Sequence, residues 1–150
     1  MKILLVEDDE NKQSRIVRFL REHIATAEVV LAASYVSAID KILKKTCDVI
    51  LLDMTIPTYD VDVDDEGGRP RVFGGRDILR QMERRKVYLP VIVITQFEKF
   101  GDERESKSRD ELNRELAAAH PRQYRGMVYY SAAVEGWKEE LAKRLEDLRS

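Results

Sequence analysis

Asp53 is the residue of this chain whose surroundings point most directly to chemistry. It ends the apolar run in "CDVILLDMTIP", residues 47–57, which has the composition of a buried strand. Burying an ionised carboxylate without a partner costs on the order of several kcal/mol. We therefore expect either solvent or a cation to reach Asp53.

A second group of acids follows the first apolar run of the chain. In "ILLVEDDE", Glu7, Asp8 and Asp9 come directly after a short strand, as Asp53 comes after another. If the two strands are parallel neighbours, Glu7, Asp8 and Asp53 converge at one edge of the sheet. Mg2+ prefers carboxylate and carbonyl oxygens, and a carboxylate beside it can attack phosphorus. For "EDDE" alone, the alternative is a solvated acidic cluster at a helix start, which the helix dipole favours.

Short apolar runs alternate with helical patterns along the chain, which predicts an α/β fold with a parallel sheet. Five strands and five helices in alternation favour a doubly wound sheet of order 2-1-3-4-5. The strands are expected in "KILLV", "AEVVLA", "DVILLD", "LPVIVIT" and "GMVYYS". The helical faces expected to pack inward include Ile16, Phe19, Leu20 and Ile24; Tyr35, Ile39, Ile42 and Leu43; Ile78, Leu79 and Met82; Leu112 and Leu116; and Val134, Trp137, Leu141, Leu145 and Leu148.

The length of 150 residues favours one domain over residues 1–150. Two stretches interrupt its compact pattern, at about 58–75 and 97–110, where charged and glycine-rich sequence predicts long loops on the C-terminal side of strands. The chain is therefore expected to carry two charged loops at the edge where the acids lie.

Composition excludes several classes of function. Lysine and arginine (26) nearly balance aspartate and glutamate (28), so nucleic acid is not an indicated partner. No apolar run spans a membrane or resembles a signal peptide, and Cys47 abuts a buried strand, which together predict a soluble protein of the reducing cytoplasm. There is no P-loop and no GxGxxG, which argues against a nucleotide-driven enzyme.

Three motifs in order, "ILLVEDDE", "VILLDMTIP" and "VIVIT", resemble the receiver domain of response regulators in two-component signalling, a phosphorelay family with a flavodoxin-like fold. The resemblance covers nearly the whole chain and implies that Asp53 is the phosphoacceptor. It further implies that Asp8, Asp53 and the backbone carbonyl of Thr55 bind Mg2+, with Glu7 helping through water. Thr95 is then the switch hydroxyl that contacts the phosphoryl group.

The chain departs from this family at the lysine that ends strand five. The matching position is Ser131, and the nearby Lys138 is expected inside the last helix. An ammonium about 4 Å from a phosphoryl oxygen is worth ~4 kcal/mol at an effective dielectric near 20, so its loss can uncouple phosphorylation from switching. One hypothesis is that Arg69 or Arg71 of the first charged loop replaces the lysine; the alternative is that both are solvated.

Two further departures concern access and switching. Gln96 stands where the family has a small residue, which is expected to restrict access to the acceptor. The switch aromatic is not assigned, because Tyr129 and Tyr130 both lie in strand five while strict register places Val128 at the usual position.

By resemblance, the chain is a stand-alone receiver-like signalling domain with Mg2+ as cofactor. Its partners are a histidine kinase or phosphotransfer protein and a downstream protein bound at the fourth helix, fifth strand and fifth helix; a homodimer is also compatible. It is no enzyme beyond self-phosphorylation and dephosphorylation at Asp53. The alternative is a pseudo-receiver, an interaction or oligomerisation module without phosphoryl switching. A Mg2+-dependent phosphatase is disfavoured because its second acid would stand at Thr55.

Overall fold

The computed structural model describes residues 1–59, 70–71, 74–96, 99–100 and 107–149. Five parallel strands form one sheet in the order β2-β1-β3-β4-β5, which confirms the predicted α/β fold and strand order. The strands are β1 (Lys2–Val6), β2 (Glu28–Ala32), β3 (Val49–Leu52), β4 (Val91–Thr95) and β5 (Tyr124–Tyr129).

Helices cover both faces of the sheet. One hydrophobic layer holds side chains of α1 and α5, and the other holds side chains of α2, α3 and α4. None of the helices in the described part of the chain is long and apolar enough to cross a membrane. The helices are α1 (Glu10–His23), α2 (Tyr35–Leu43), α3 (Gly74–Arg84), α4 (Arg109–Ala119) and α5 (Gly136–Arg149).

The central strands are apolar on both faces because both faces are covered. All four residues of β3 are buried. In β1, Leu4 and Val6 pack into the layer of α2, α3 and α4, whereas Ile3 and Leu5 pack into the layer of α1 and α5. A polar residue directly after such a strand therefore lies at the sheet edge, next to the end of the neighbouring strand.

The first two helices begin at side-chain caps. Asp9 is the N-cap of α1, and its carboxylate accepts a hydrogen bond of 3.1 Å from the backbone N–H of Lys12. Ser34 caps α2 and forms a reciprocal capping box with Ser37. Of the acids in "EDDE", Asp9 is thus the one that starts the helix, which leaves Glu7 and Asp8 for the site.

Two side chains that were expected to pack inward are exposed. Val134 is 63% exposed, because α5 begins only at Gly136 and Val134 lies in the connection before it. Leu43 is 38% exposed at the last residue of α2, where the helix ends beyond the sheet contact. The other side chains that were expected to pack inward are buried or half-buried.

Two short antiparallel pairs lie where long loops were predicted. Ile56–Pro57 pairs with Pro70–Arg71, and Lys99–Phe100 pairs with Lys107–Ser108. Most of the predicted loops at about 58–75 and 97–110 lies outside the described residues. The assignment of residues 1–150 to a single domain stays a prediction.

Candidate functional site

Glu7 and Asp53 follow neighbouring parallel strands at the same edge of the sheet. Val6 and Leu52, the last residues of β1 and β3, are paired in register. The backbone N–H of Asp53 donates to the carbonyl of Val6 over 3.0 Å, which continues the pairing into the site. Backbone pairing between β1 and β3 therefore fixes the positions of Glu7 and Asp53 relative to each other.

Three carboxylates meet at this edge. Oxygens of Glu7, Asp8 and Asp53 lie within 4.8 Å of one another. Glu7 is 2% and Asp53 5% exposed, whereas Asp8 faces solvent. In the part of the chain that the structure describes, the buried Oδ1 of Asp53 has no hydrogen-bond partner. Such a set of hard oxygen donors with an unsatisfied member fits a small divalent cation such as Mg2+.

Burial perturbs the ionisation of all three acids. It raises the pKa of Glu7, and repulsion from Asp53 adds to the effect while Lys12 opposes it. Burial also raises the pKa of Asp53, against the opposing effects of Lys12, Glu7 and the Thr55 backbone. The pKa of Asp8 is raised mainly by burial. A cation in the cluster would favour the ionised forms that burial disfavours.

Lys12, a residue not predicted as part of the site, reaches into the acidic cluster from α1. Its Nζ lies 2.8 Å from Glu7 Oε2 and 3.7 Å from Asp53 Oδ1. It also donates to the carbonyl of Ile94 in β4 over 2.9 Å. The side chain is 2% exposed, so this ammonium is a buried counter-charge to two of the acids.

A signal for Lys12 is present in the helical pattern. Ile16 and Leu20 are buried on the inner face of α1, and a step of four residues back from Ile16 reaches Lys12. A lysine on the inner stripe of a helix, one turn after a cluster of acids, indicates a buried ion pair. The sequence-based prediction assigned no role to Lys12.

Thr95 and Gln96 lie at the end of β4. Thr95 is fully buried, and its carbonyl accepts a hydrogen bond of 2.8 Å from the Tyr130 N–H, which ties β4 to the residue after β5. Gln96 is exposed. The roles of Thr95 as switch hydroxyl and of Gln96 as a restriction on access stay predictions.

The structure separates the residues that were considered at, or as replacements for, the lysine that the family has at the end of strand five. Ser131 follows β5, where its hydroxyl accepts from the Ala133 N–H over 3.2 Å. Lys138 is engaged with Glu135 over 3.0 Å. Arg69 and the side chain of Arg71 lie outside the described residues, so the proposed replacement by a loop arginine stays a hypothesis.

The two tyrosines of the β5 end have different surroundings. Tyr130 is 3% exposed and packs on Trp137, with ring centroids 5.1 Å apart, and Lys12 Nζ lies 5.6 Å from its ring. Tyr129 is half-buried under the guanidinium of Arg109, 4.3 Å from its ring centroid. Val128 is fully buried in the core. Of the three, Tyr130 is the one whose ring contacts a charged group of the site.

Comparison with known proteins gives a consistent result. Residues 3–109 match the response regulator receiver domain family. The chain is 32% identical over 150 residues to the Detocs response regulatory protein DtcB of Enterobacter cloacae, covering 99% of this chain and 100% of that protein. It is 28% identical over 140 residues to the uncharacterized protein y4jR of Sinorhizobium fredii, covering 92% of each.

Solved structures share the fold at lower sequence identity. The signal receiver domain of a DNA-binding response regulator from Colwellia psychrerythraea superposes with a TM-score of 0.67 at 18% identity, covering 99% of this chain and 98% of that one. The receiver domain of a sensor histidine kinase from Pseudomonas aeruginosa, described with magnesium in its active site cleft, gives 0.60 at 21% identity, covering 99% and 98%. The sequence motifs, the sheet order and the family match agree: this chain belongs to the response regulator receiver domain family.

Proposed function

We propose that this chain is a receiver domain that accepts a phosphoryl group on Asp53 and signals through contacts with another protein. The observation that carries the proposal is the buried Oδ1 of Asp53, which lies in a cluster of three carboxylates and has no hydrogen-bond partner among the described residues. Buried polar atoms without partners are rare and costly, so one at the rim of a parallel sheet favours a functional role over a structural one.

Mg2+ is the cofactor that we propose for this site, held by Asp8, Asp53 and the Thr55 carbonyl, with Glu7 acting through water. The close approach of the carboxylate oxygens supports it. With all groups ionised, three carboxylates and the Lys12 ammonium leave two negative charges, which one divalent cation balances. When bound, the ion supplies positive charge that stabilises the transferred phosphoryl group.

In the proposed reaction, a carboxylate oxygen of Asp53 attacks the phosphorus of a phosphohistidine on a kinase or phosphotransfer protein. The new P–O bond forms as the P–N bond breaks, and the leaving imidazole takes up a proton. Thr95 donates its hydroxyl to a phosphoryl oxygen. Hydrolysis of the acyl phosphate then returns Asp53 and inorganic phosphate, and we propose no other catalytic activity.

The proposed output is a contact with a protein in the cytoplasm. A polar cleft of about 250 Å³ lies where α4, β5 and α5 meet, lined in part by Arg109, Tyr129 and Arg144. Charged and aromatic side chains around a cleft suit a protein partner. Similarity to a Detocs response regulatory protein along nearly the whole chain supports a role in a system of that type.

A second candidate function is a pseudo-receiver, an interaction module without phosphoryl switching. The observation that favours it is the pair of Lys12 and Glu7, which partly neutralises the acidic cluster without a metal. The serine at position 131 favours it as well. In this case the fold is kept for its surfaces, and Asp53 accepts no phosphoryl group.

Amide NMR of the purified protein distinguishes the two candidates. Mg2+ is titrated first, and beryllofluoride is then added as a stand-in for the phosphoryl group, with Asp53→Asn as the control. Shifts at Glu7, Asp8 and Asp53 that spread to Thr95 and β5 with the mimic support the receiver function. Mg2+ binding without a response to the mimic, or no binding at all, contradicts it and supports the pseudo-receiver.

A further inference from the structure

The ammonium of Lys12 has one donor left after its two hydrogen bonds. Lysine carries three N–H donors. Glu7 Oε2 at 2.8 Å and the Ile94 carbonyl at 2.9 Å account for two of them. The side chain is 2% exposed, so little solvent is present to take the third.

An oxygen of Asp53 also lies close to this ammonium. Lys12 Nζ lies 3.7 Å from Asp53 Oδ1, which is beyond hydrogen-bond distance, and no described residue makes a hydrogen bond to Oδ1. A donor and an acceptor thus face each other across a gap. An additional oxygen attached at Asp53 would enter the region that this ammonium already faces.

A phosphoryl group on Asp53 needs positive charge in its surroundings. It would bring further negative charge into a cluster that already contains Glu7 and Asp8. Ser131, at the end of β5, carries no charge to meet it. Among the described residues, Lys12 is the basic side chain that makes a salt bridge to Asp53.

We propose that Lys12 binds the phosphoryl group on Asp53 and thus supplies from α1 the ammonium that β5 lacks. This inference rests on the proposed phosphoacceptor function of Asp53. It replaces the hypothesis of a loop arginine with a residue whose position the structure describes. The ammonium stays close to Glu7 and donates its remaining N–H to a phosphoryl oxygen.

The contacts around Lys12 limit the positions that its ammonium group can reach. The N-cap at Asp9 sets the start of α1, and the Ile94 carbonyl holds the ammonium beside the end of β4. The ring of Tyr130 lies 5.6 Å from Nζ. Any shift of the ammonium toward a phosphoryl oxygen therefore changes its contacts with Glu7, with β4 and with the residue after β5 together.

The alternative role for Lys12 is purely structural, as the counter-ion of Glu7. The two roles differ in what Lys12→Met does to binding of a phosphoryl mimic at saturating Mg2+. Lys138→Met is the matched control, because Lys138 is near the end of β5 but is paired with Glu135. Affinities for Mg2+ and for Mg2+ with beryllofluoride are measured separately, by amide NMR and by 19F NMR.

We expect the folded Lys12→Met variant to bind Mg2+ at least as tightly as the wild type, because a competing positive charge is removed. Its affinity for beryllofluoride should fall at least tenfold, whereas Lys138→Met should match the wild type. Equal affinity for the mimic in the wild type and Lys12→Met overturns this inference and leaves the phosphoacceptor function standing. A wild type that binds no mimic overturns both.

Should Lys12→Met not fold, the wild type itself gives the answer. The side-chain 15N resonance of Lys12 is followed in lysine-labelled protein as beryllofluoride is added with Mg2+. A shift of this resonance, with 1H–19F cross-relaxation between the Lys12 side chain and the bound fluorines, supports the inference. Saturation by the mimic without either signal overturns it.

Discussion

Lys12 Nζ lies 2.8 Å from Glu7 Oε2, and neither side chain is more than 3% exposed. Removing one partner of a buried ion pair leaves a charge without compensation, which typically costs ~3–5 kcal/mol. Without Mg2+, we therefore expect Lys12→Met to lower the free energy of unfolding by about 3 kcal/mol, measured by urea denaturation.

Binding of Mg2+ should reduce the loss of stability that Lys12→Met causes. Mg2+ supplies positive charge to the same carboxylates, so the loss caused by Lys12→Met should shrink as Mg2+ is raised to saturation. Lys138→Met serves as the control, since its ion pair is on the surface. A loss that is the same with and without Mg2+ contradicts a shared charge balance in the site.

Gly75 allows α3 to approach the loop after β3 closely. A Cβ at this position would lie 2.7 Å from the Asp53 carbonyl oxygen and 3.0 Å from Met54 Cα, both of them backbone atoms. Gly75→Ala should therefore displace Asp53, lower stability by ~1–3 kcal/mol and weaken Mg2+ binding. Denaturation and Mg2+ titration measure the two effects.

Gly136 at the start of α5 offers the matched control, because a Cβ there meets no atom of the described residues within 4 Å. Gly136→Ala should leave Mg2+ binding unchanged and stability unchanged or slightly raised. If both alanine variants behave alike, the close approach at Gly75 is not what shapes the site.

Trp137 should report events at Lys12 through Tyr130. The rings of Tyr130 and Trp137 lie 5.1 Å apart, and Trp137 is the only tryptophan of the chain. We expect beryllofluoride with Mg2+ to change tryptophan emission, and Tyr130→Leu to reduce this change at least twofold. Loss of the ring contact should also cost ~1 kcal/mol of stability. Tyr129→Leu, on the neighbouring ring under Arg109, should keep the emission change.

Cys47 should react slowly with thiol reagents in the folded protein. The residue is 7% exposed, and burial raises the pKa of its thiol. The folded state thus favours the neutral thiol, and the thiolate forms at a higher pH in the folded protein than in the unfolded chain. The free energy of unfolding therefore falls as the pH rises above the ordinary thiol pKa. At pH 8, we expect modification by iodoacetamide to be at least tenfold slower than in denaturant, with Cys47→Ala as the blank. Equal rates contradict a buried thiol.

The sheet and the convergence of the acids could be predicted because they follow from the alternation of apolar runs with helical patterns along the chain and from the strand order. Once β1 and β3 are parallel neighbours, Glu7 and Asp53 must end at the same edge. The helical spacing places Lys12 on the inner face of α1, but its partners were missed because they depend on how far a flexible side chain reaches from a helix to a strand carbonyl. Val134 was predicted inside the last helix because it lies at helical spacing before Trp137 and Leu141. The helix α5 begins only at Gly136, so Val134 lies outside it.

The pair of Glu7 and Lys12 also has a kinetic consequence. The two residues are five positions apart, so closing the loop between them costs little chain entropy. A lysine at position 131 would meet Asp53 only after most of the chain had been synthesised and ordered. In this protein, the contact between the ammonium and Glu7 involves only the connection from β1 into α1, so forming it does not require the strands that follow α2.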